Sequence, residues 1–397
     1  MRACVWHGRR DVRVEDVADP VIREPQDAVV RVTSSGLCGS DLHLYEPLAP
    51  FMEAGDILGH EPVGVVEETG SAVDGLAPGD RVVIPFQIAC GSCFMCKRNL
   101  QTQCETTQVH EYGTGAALFG YTKLYGGVPG AQAEYLRVPQ AHYGPVKVPH
   151  GPPDDRFLFL SDVLPTAWQA VAYADVPAGG TLTVLGLGPI GEMACRVALH
   201  QGLRVIGLDI VPERVARTRA QGAEVVDLAV VDAPVEAVRA LTSGRGPESV
   251  VDAVGMEAHG SPGVEVLHEM TGLLPPKLAE KAMTRAGVDR LAALHLAVDM
   301  VRRGGTISVS GVYGGTKDPL PMLSLFDKQV QLRMGQANVR RWVPGILPLL
   351  TDQDPLGVDD FATHHVPLSE APQAYATFQE KANGTVKVVF RPHGRLC

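Results

Sequence analysis

Four cysteines crowd into fifteen positions of the segment ACGSCFMCKRNLQTQC: Cys90, Cys93, Cys96 and Cys104, spaced C-x2-C-x2-C-x7-C. Gly91 and Ser92 keep the first turn tight enough for the thiolates to converge. Four sulfurs on one loop suit a closed, structural zinc site with no open position, and an iron–sulfur cluster is the rival chemistry. A second pair of ligand types is dispersed: Cys38 in GLCGSDLH and His60 in LGHEPVGVVEETGSAV, each of which alone would be an ordinary core residue. A third chemical feature is Gly186-Leu187-Gly188-Pro189-Ile190-Gly191, the G-x-G-x-x-G pattern of a turn that offers backbone N–H groups to a pyrophosphate.

That turn works only between a strand and a helix. Thr181–Leu185 reads as the strand and Ile190–Gln201 as the helix, followed by a strand at Arg204–Asp209 and a helix at Pro212–Gly222. Such alternation implies right-handed βαβ units on a parallel sheet. Gly186 permits the turn, Gly188 lets backbone approach the pyrophosphate, and Gly191 allows close helix–strand packing. Asp209 follows Gly188 by 21 residues, the place of a carboxylate that binds the adenosine ribose and repels a 2′-phosphate. NAD is therefore expected over NADP, with Arg214 the residue that would favour a phosphate instead.

Further strands are expected at Ser249–Val254 and Thr306–Val312, and Leu291, Leu294, Val298 and Val301 recur at helical spacing up to Gly304-Gly305. Residues 257–290 read as a partly helical excursion, either a solvated decoration or a cover over the adenine end that retains NAD. Before this region, Ala28–Thr33, Val63–Glu68, Arg81–Pro85 and Gln132–Val138 are short β-branched runs between Gly, Pro and Asp turns, the texture of a small barrel. Val386–Phe390 is a closing strand that could rejoin it.

At 397 residues the chain exceeds one core and fits two domains. Its net charge of −10 opposes generic binding to nucleic acid or anionic membranes, leaving small molecules as the expected partners. The opening MRACVWHGRRDVRVEDV alternates like a strand pair and lacks the apolar core of a signal peptide; with no apolar run long enough to span a bilayer, a cytoplasmic location is expected. In that reducing compartment, crowded thiols signify metal before disulfides. Cys4, Cys195 and Cys397 carry no such signal.

Gly59-His60-Glu61, Gly64, Gly70 and Val73, with Gly79-Asp80-Arg81-Val82, the cysteine lobe and Gln132-Ala133-Glu134-Tyr135, resemble the zinc-dependent medium-chain alcohol dehydrogenases across nearly the whole chain. The resemblance implies a GroES-like β-barrel catalytic domain over residues 1–155 and 336–397 and a Rossmann NAD-binding domain over 156–335. It implies a catalytic zinc on Cys38, His60 and a third ligand at the start of the segment LSDVLPTAWQA. The commonest third ligand is cysteine; here the matching residue is Asp162, as in the formaldehyde-dehydrogenase-like branch, although an aspartate there could also cap the following helix. One thiolate, one imidazole and one carboxylate still balance Zn2+ and leave a fourth position for a substrate oxygen, where zinc acts as a Lewis acid.

By the same resemblance Ser40 accepts the substrate proton, His43 at the rim relays it, Asp41 orients the liganding histidine, and Glu61 neighbours the zinc. The plainer alternative makes Ser40 and Asp41 turn residues and His43 a surface side chain. Phe86 resembles the aromatic wall beside the zinc. Val254 and Val312 would line the nicotinamide half, Arg214 would lie over the adenine ribose and Arg340 would reach the pyrophosphate, or the arginines form a solvated face. The expected function is hydride transfer between NAD and an alcohol, or an aldehyde presented as its hydrate or thiol adduct, by a homo-oligomer, a dimer or tetramer. Alternatives are a dehydrogenase of a larger specialised alcohol, a formaldehyde dismutase that retains NAD, and a non-catalytic NAD- and zinc-binding interaction protein. A zinc-free reductase would lack the Cys38–His60 pair and the cysteine lobe.

Overall fold

The computed structural model describes residues 1–255, 291–313, 320–351 and 353–394; the expected excursion at 257–290 lies outside them. In chain order the strands are β1 (Arg2–Gly8), β2 (Asp11–Asp16), β3 (Ala28–Leu37), β4 (Glu61–Thr69), β5 (Arg81–Val83), β6 (Tyr135–Val138) and β7 (Val146–Lys147). They continue as β8 (Thr181–Leu185), β9 (Arg204–Asp209), β10 (Glu224–Asp227), β11 (Ser249–Asp252), β12 (Thr306–Val309), β13 (Gln331–Met334), β14 (His364–Pro367) and β15 (Val388–Arg391). The chain divides into two compact units, one of Met1–Pro165 with Ala337–Cys397, the other of Thr166–Gln336.

In the first unit the opening residues form the antiparallel pair β1–β2, and a seven-stranded sheet runs β14-β15-β3-β4-β5-β7 with β6 also on β3. Two register shifts between β3 and β4, at Val29/Val30 and Val32/Ser34, bend the long central strand. Val30, Val32, Val66, Val82, Ile84, Phe119, Leu136 and Val138 fill the interior. β15 pairs antiparallel with β3 and parallel with β14, so the C-terminal segment is built into this sheet.

The second unit carries a six-stranded, all-parallel sheet in the order β10-β9-β8-β11-β12-β13. Its inner strands β8, β11 and β12 are buried along their length, as in a parallel sheet covered on both faces; Leu185, Ile206, Leu208, Val250, Ile307 and Val309 pack with Leu294 and Val298 of the helix Ala292–Met300. The chain thus has the GroES-like barrel and the Rossmann sheet expected of it.

Several runs are shorter than the sequence suggests, for local reasons. The 249–254 run ends at Asp252 because its carboxylate accepts the N–H of Val254 and Gly255. The 306–312 run ends at Val309 because Ser310 and Gly311 donate back to the Asp252 carbonyl. In the 132–138 run, only Tyr135–Val138 pairs with β3. Gln132 leaves the ladder, its N–H going to Leu58 and its carbonyl to Cys4.

Candidate metal centre and dinucleotide loop

Cys38 follows β3 directly and is the N-cap of the helix Gly39–Tyr45, with a cysteine in the place where a capping box normally has serine. The Asp41 carboxylate closes that box by accepting the Cys38 N–H at 2.9 Å. His60 stands immediately before β4. Gly59 beside it takes φ +95°, and a Cβ there would collide with Gln132. Asp162 ends the 3-10 helix Phe159–Ser161.

These segments bring Cys38, His60, Glu61 and Asp162 together, all buried, with one ligand atom of each within 4.8 Å of the others. Asp162 Oδ2 is 3.4 Å from both Cys38 Sγ and His60 Nε2. The Ser40 hydroxyl lies 3.3 Å from Cys38 Sγ and 3.2 Å from His60 Nε2. On the other side of the imidazole, Nδ1 faces Asp41 Oδ1 at 3.2 Å. The Phe86 and Tyr121 rings stand edge-on to His60, at centroid distances of 6.4 and 6.3 Å.

The electrostatics favour a cation. Burial, then the charges of Asp162 and Glu61, push the Cys38 thiol up to about 11. Burial opposes protonation of His60, yet Asp41 and the hydrogen bonds to Asp162, Asp41 and Cys38 outweigh it and raise its pKa well above the ordinary value. A thiol, an imidazole and a carboxylate crowded in this way fit Zn2+ in donor type and in charge.

Glu61 does not stand free beside the donor set. Its carboxylate is fully buried and paired with Lys387 Nζ at 2.6 Å, which also donates to the Leu37 carbonyl at 3.0 Å. No motif singles out this lysine, although a charge inside the apolar run Val386–Phe390 is itself a signal, because lysine is almost never fully buried without a partner. His43 differs from the expected rim position: it is buried, at 7% exposure, in the last turn of the helix that Cys38 caps. Tyr121 and Tyr375 carry no motif, and Gln132, part of the Gln132-Ala133-Glu134-Tyr135 segment, gains a role beside Asp41 that its motif does not disclose.

The four-cysteine lobe converges as its spacing implies, with Cys90, Cys93, Cys96 and Cys104 offering sulfurs within 4.8 Å of one another. Backbone N–H groups of Cys93 and Cys96 point at the sulfurs of Cys90 and Cys93, each at 3.4 Å. Burial alone would raise the Cys90 thiol; hydrogen bonds from the Thr106 and Ser92 hydroxyls and neighbouring N–H groups bring it down to about 5. A set of four sulfurs with preformed N–H donors fits a structural zinc ion.

In the second unit, Gly186 leaves β8 with φ +80° and Gly188 caps the helix Pro189–His200. A Cβ on Gly191 would strike the Gly186 carbonyl, whereas one on Gly188 would meet only the Arg214 guanidinium, at 3.5 Å or more. The open backbone at Gly188, at a helix N-terminus, is of a kind that fits a pyrophosphate. Asp209 ends β9 at 6% exposure and accepts the N–H of Leu187 at 2.6 Å, which ties it to the glycine loop. Arg214 Nη1 lies 3.9 Å from Asp209 Oδ2. Val254 follows β11, and Val312 is 44% exposed beyond β12. Arg340 sits in the first unit, donating to the Pro145 carbonyl at 3.1 Å and lying 5.0 Å from the Tyr143 ring centre.

A family model described as the alcohol dehydrogenase GroES-like domain matches residues 24–150, and one described as zinc-binding dehydrogenase matches residues 189–273. The chain is 38% identical over 396 residues to an uncharacterized zinc-type alcohol dehydrogenase-like protein, AdhB, of Bacillus subtilis (strain 168), covering 99% of this chain and 100% of that one. It is 31% identical over 421 residues to the formaldehyde dismutase of Pseudomonas putida, covering 100% of this chain and 98% of the relative. Among solved structures, alcohol dehydrogenase TADH from Thermus sp. ATN1 matches with a TM-score of 0.82 and 35% identity, over 98% of this chain and 99% of that one. With the donor sets above, these likenesses place the chain in the zinc-dependent medium-chain alcohol dehydrogenase family, whose members are NAD(P)-dependent oxidoreductases.

Proposed function

We propose that the chain oxidises a small alcohol, or an aldehyde presented as its hydrate or thiol adduct, with NAD as hydride acceptor, in the manner of the formaldehyde-dehydrogenase-like branch. The observation that carries this reading is the convergence of Cys38, His60 and Asp162 with the Ser40 hydroxyl at the edge of the donor set. Cys38, His60 and Asp162 would hold the catalytic zinc, and Cys90, Cys93, Cys96 and Cys104 the structural one. Zinc, when bound, supplies Lewis acidity that makes a substrate hydroxyl easier to deprotonate. Ser40 is the group that would take that proton, and by the family resemblance His43, three residues on in the same helix, would relay it onward. Asp41 holds the His60 tautomer. Phe86 and Tyr121 form an aromatic wall that favours a small substrate and excludes water.

Asp209 would accept the ribose hydroxyls, with Gly186, Gly188, Ile190 and Gly191 forming the pyrophosphate turn; an acid there disfavours a 2′-phosphate, which supports NAD over NADP. The formaldehyde dismutase relative supports formaldehyde chemistry as the first substrate class to test. The family resemblance implies a dimer or tetramer, and the exposed Met322, Leu323 and Phe326 on the helix before the edge strand β13 support association there.

Reduced nicotinamide should be measured with NAD and NADP over formaldehyde with and without thiols, primary alcohols and larger alcohols. Turnover of formaldehyde or a short alcohol with NAD preferred is expected. No turnover across the panel by protein carrying two zinc ions per chain would favour the non-catalytic reading.

A further inference from the structure

The Asp41 carboxylate is fully buried, and a buried anion must be matched by donors. Its Oδ1 faces His60 Nδ1 at 3.2 Å; its Oδ2 accepts the Cys38 N–H at 2.9 Å and Gln132 Nε2 at 3.3 Å. Asp41 therefore touches both the sulfur-bearing and the imidazole-bearing positions, and the third donor comes from a residue far along the chain. Gln132 is itself fully buried, and a side-chain amide can sit either way round in the same volume. Its orientation is fixed from both ends. On the nitrogen side stand two groups that only accept, Asp41 Oδ2 and the Gly36 carbonyl at 3.5 Å. On the oxygen side the hydroxyl of Tyr375 donates to Oε1 at 2.9 Å.

Tyr375 is fully buried in the helix Ala371–Gln379, 243 residues from Gln132 in sequence. We propose that Tyr375 is a positioning residue for the catalytic metal: through Gln132 it sets the donor that faces Asp41, and through Asp41 it holds the His60 ring and the Cys38 turn in ligating geometry. Without the hydroxyl, the amide can turn its carbonyl oxygen toward Asp41, where two acceptors repel, and Oδ2 of the carboxylate loses one of its two hydrogen-bond donors. The bulk of the ring has a separate job, packing on Tyr45 at a centroid distance of 5.4 Å. Phenylalanine preserves that packing and removes only the hydrogen bond.

The proposal rests on Cys38, His60 and Asp162 forming the zinc site, so zinc content of the unmodified holoenzyme is measured first; absence of the second zinc would remove the proposed function itself. With two zinc ions present, release to a chromophoric chelator is compared among the unmodified protein, Tyr375→Phe, Gln132→Met and the double variant. Tyr375→Phe is expected to speed loss of one of the two ions about 10-fold, the scale of an outer hydrogen-bond partner of a metal ligand, with the cysteine-lobe ion unchanged as internal control. In the Gln132→Met background, Tyr375→Phe should add nothing, because its route to the metal is already cut. Cobalt(II) substituted at the catalytic site should show an altered visible spectrum in Tyr375→Phe. An unchanged release rate and cobalt spectrum in Tyr375→Phe, or fully additive effects in the double variant, would overturn the proposal.

Discussion

Lys387 and Glu61 pair at 2.6 Å with both side chains at zero exposure, directly behind the donor set of the proposed catalytic zinc. Burial raises the Glu61 pKa while Lys387 opposes that shift. Each of the two charges is costly in that position without the other. Lys387→Met should therefore lower stability by about 3–5 kcal/mol, and most of the loss should return in Glu61→Gln/Lys387→Met, where no isolated charge remains. Denaturant unfolding of the three proteins measures this; a double variant no better than the single one would contradict the pairing argument. The donors themselves were legible in the sequence because they come with local context: cysteine spacing, the Gly-His-Glu triplet, and an aspartate where a cysteine is usual. Their supports were not. Lys387 reaches Glu61 across 326 residues and Tyr375 reaches Gln132 across 243, separations over which no periodicity or motif operates.

At the scale of elements, the segment that delivers Asp162 is pinned by its own charges. The short helix Asp154–Leu158 places Asp154 against Arg81, Asp155 against Arg391, His365 and Ser34, and Arg156 against Asp359 at 2.9 Å. Three consecutive residues thus tie one turn to β5, to β14 and β15, and to the 3-10 helix Val358–Asp360. Burial would raise the Asp155 pKa, but hydrogen bonds from His365 and Arg391 and their charge outweigh it and hold the carboxyl well below its ordinary value. A carboxylate depressed on folding adds stability above its unfolded pKa of about 3.9 and loses it as pH falls through the folded value. Asp155→Asn should cost ~2 kcal/mol near neutral pH, the scale of charge-assisted hydrogen bonds, with the gap to the unmodified protein narrowing below about pH 4. Thermal unfolding across that range tests it, and a gap constant down to about pH 3 would contradict the assignment. Strand and helix boundaries in the parallel sheet were readable to within a few residues because apolar runs end at glycine or charge. The exceptions, at Asp252 and Val309, arise from a carboxylate and a carbonyl that take the next N–H groups out of the ladder.

At the scale of the molecule, the acidic balance of the chain and its zinc-type family membership agree on small-molecule chemistry, and among the described residues no helix is long and apolar enough to cross a membrane. The parallel sheet ends at β13, and next to it Leu323 and Phe326 are 80% and 83% exposed. Large exposed apolar side chains on the helix that precedes β13 are unusual on a monomer and support the proposed association surface. Leu323→Glu/Phe326→Glu should shift the protein toward monomer in light scattering after gel filtration; an unchanged mass would place the assembly surface elsewhere. The proposed function turns on Asp162 as the third ligand of a catalytic zinc. Its most direct test is the rate of reduced-nicotinamide formation by Asp162→Ala against the unmodified protein, at matched occupancy of the cysteine lobe. A fall of about 100-fold or more, at or beyond the upper end for an outer-shell partner, is the predicted result, and a rate equal to that of the unmodified protein would contradict it.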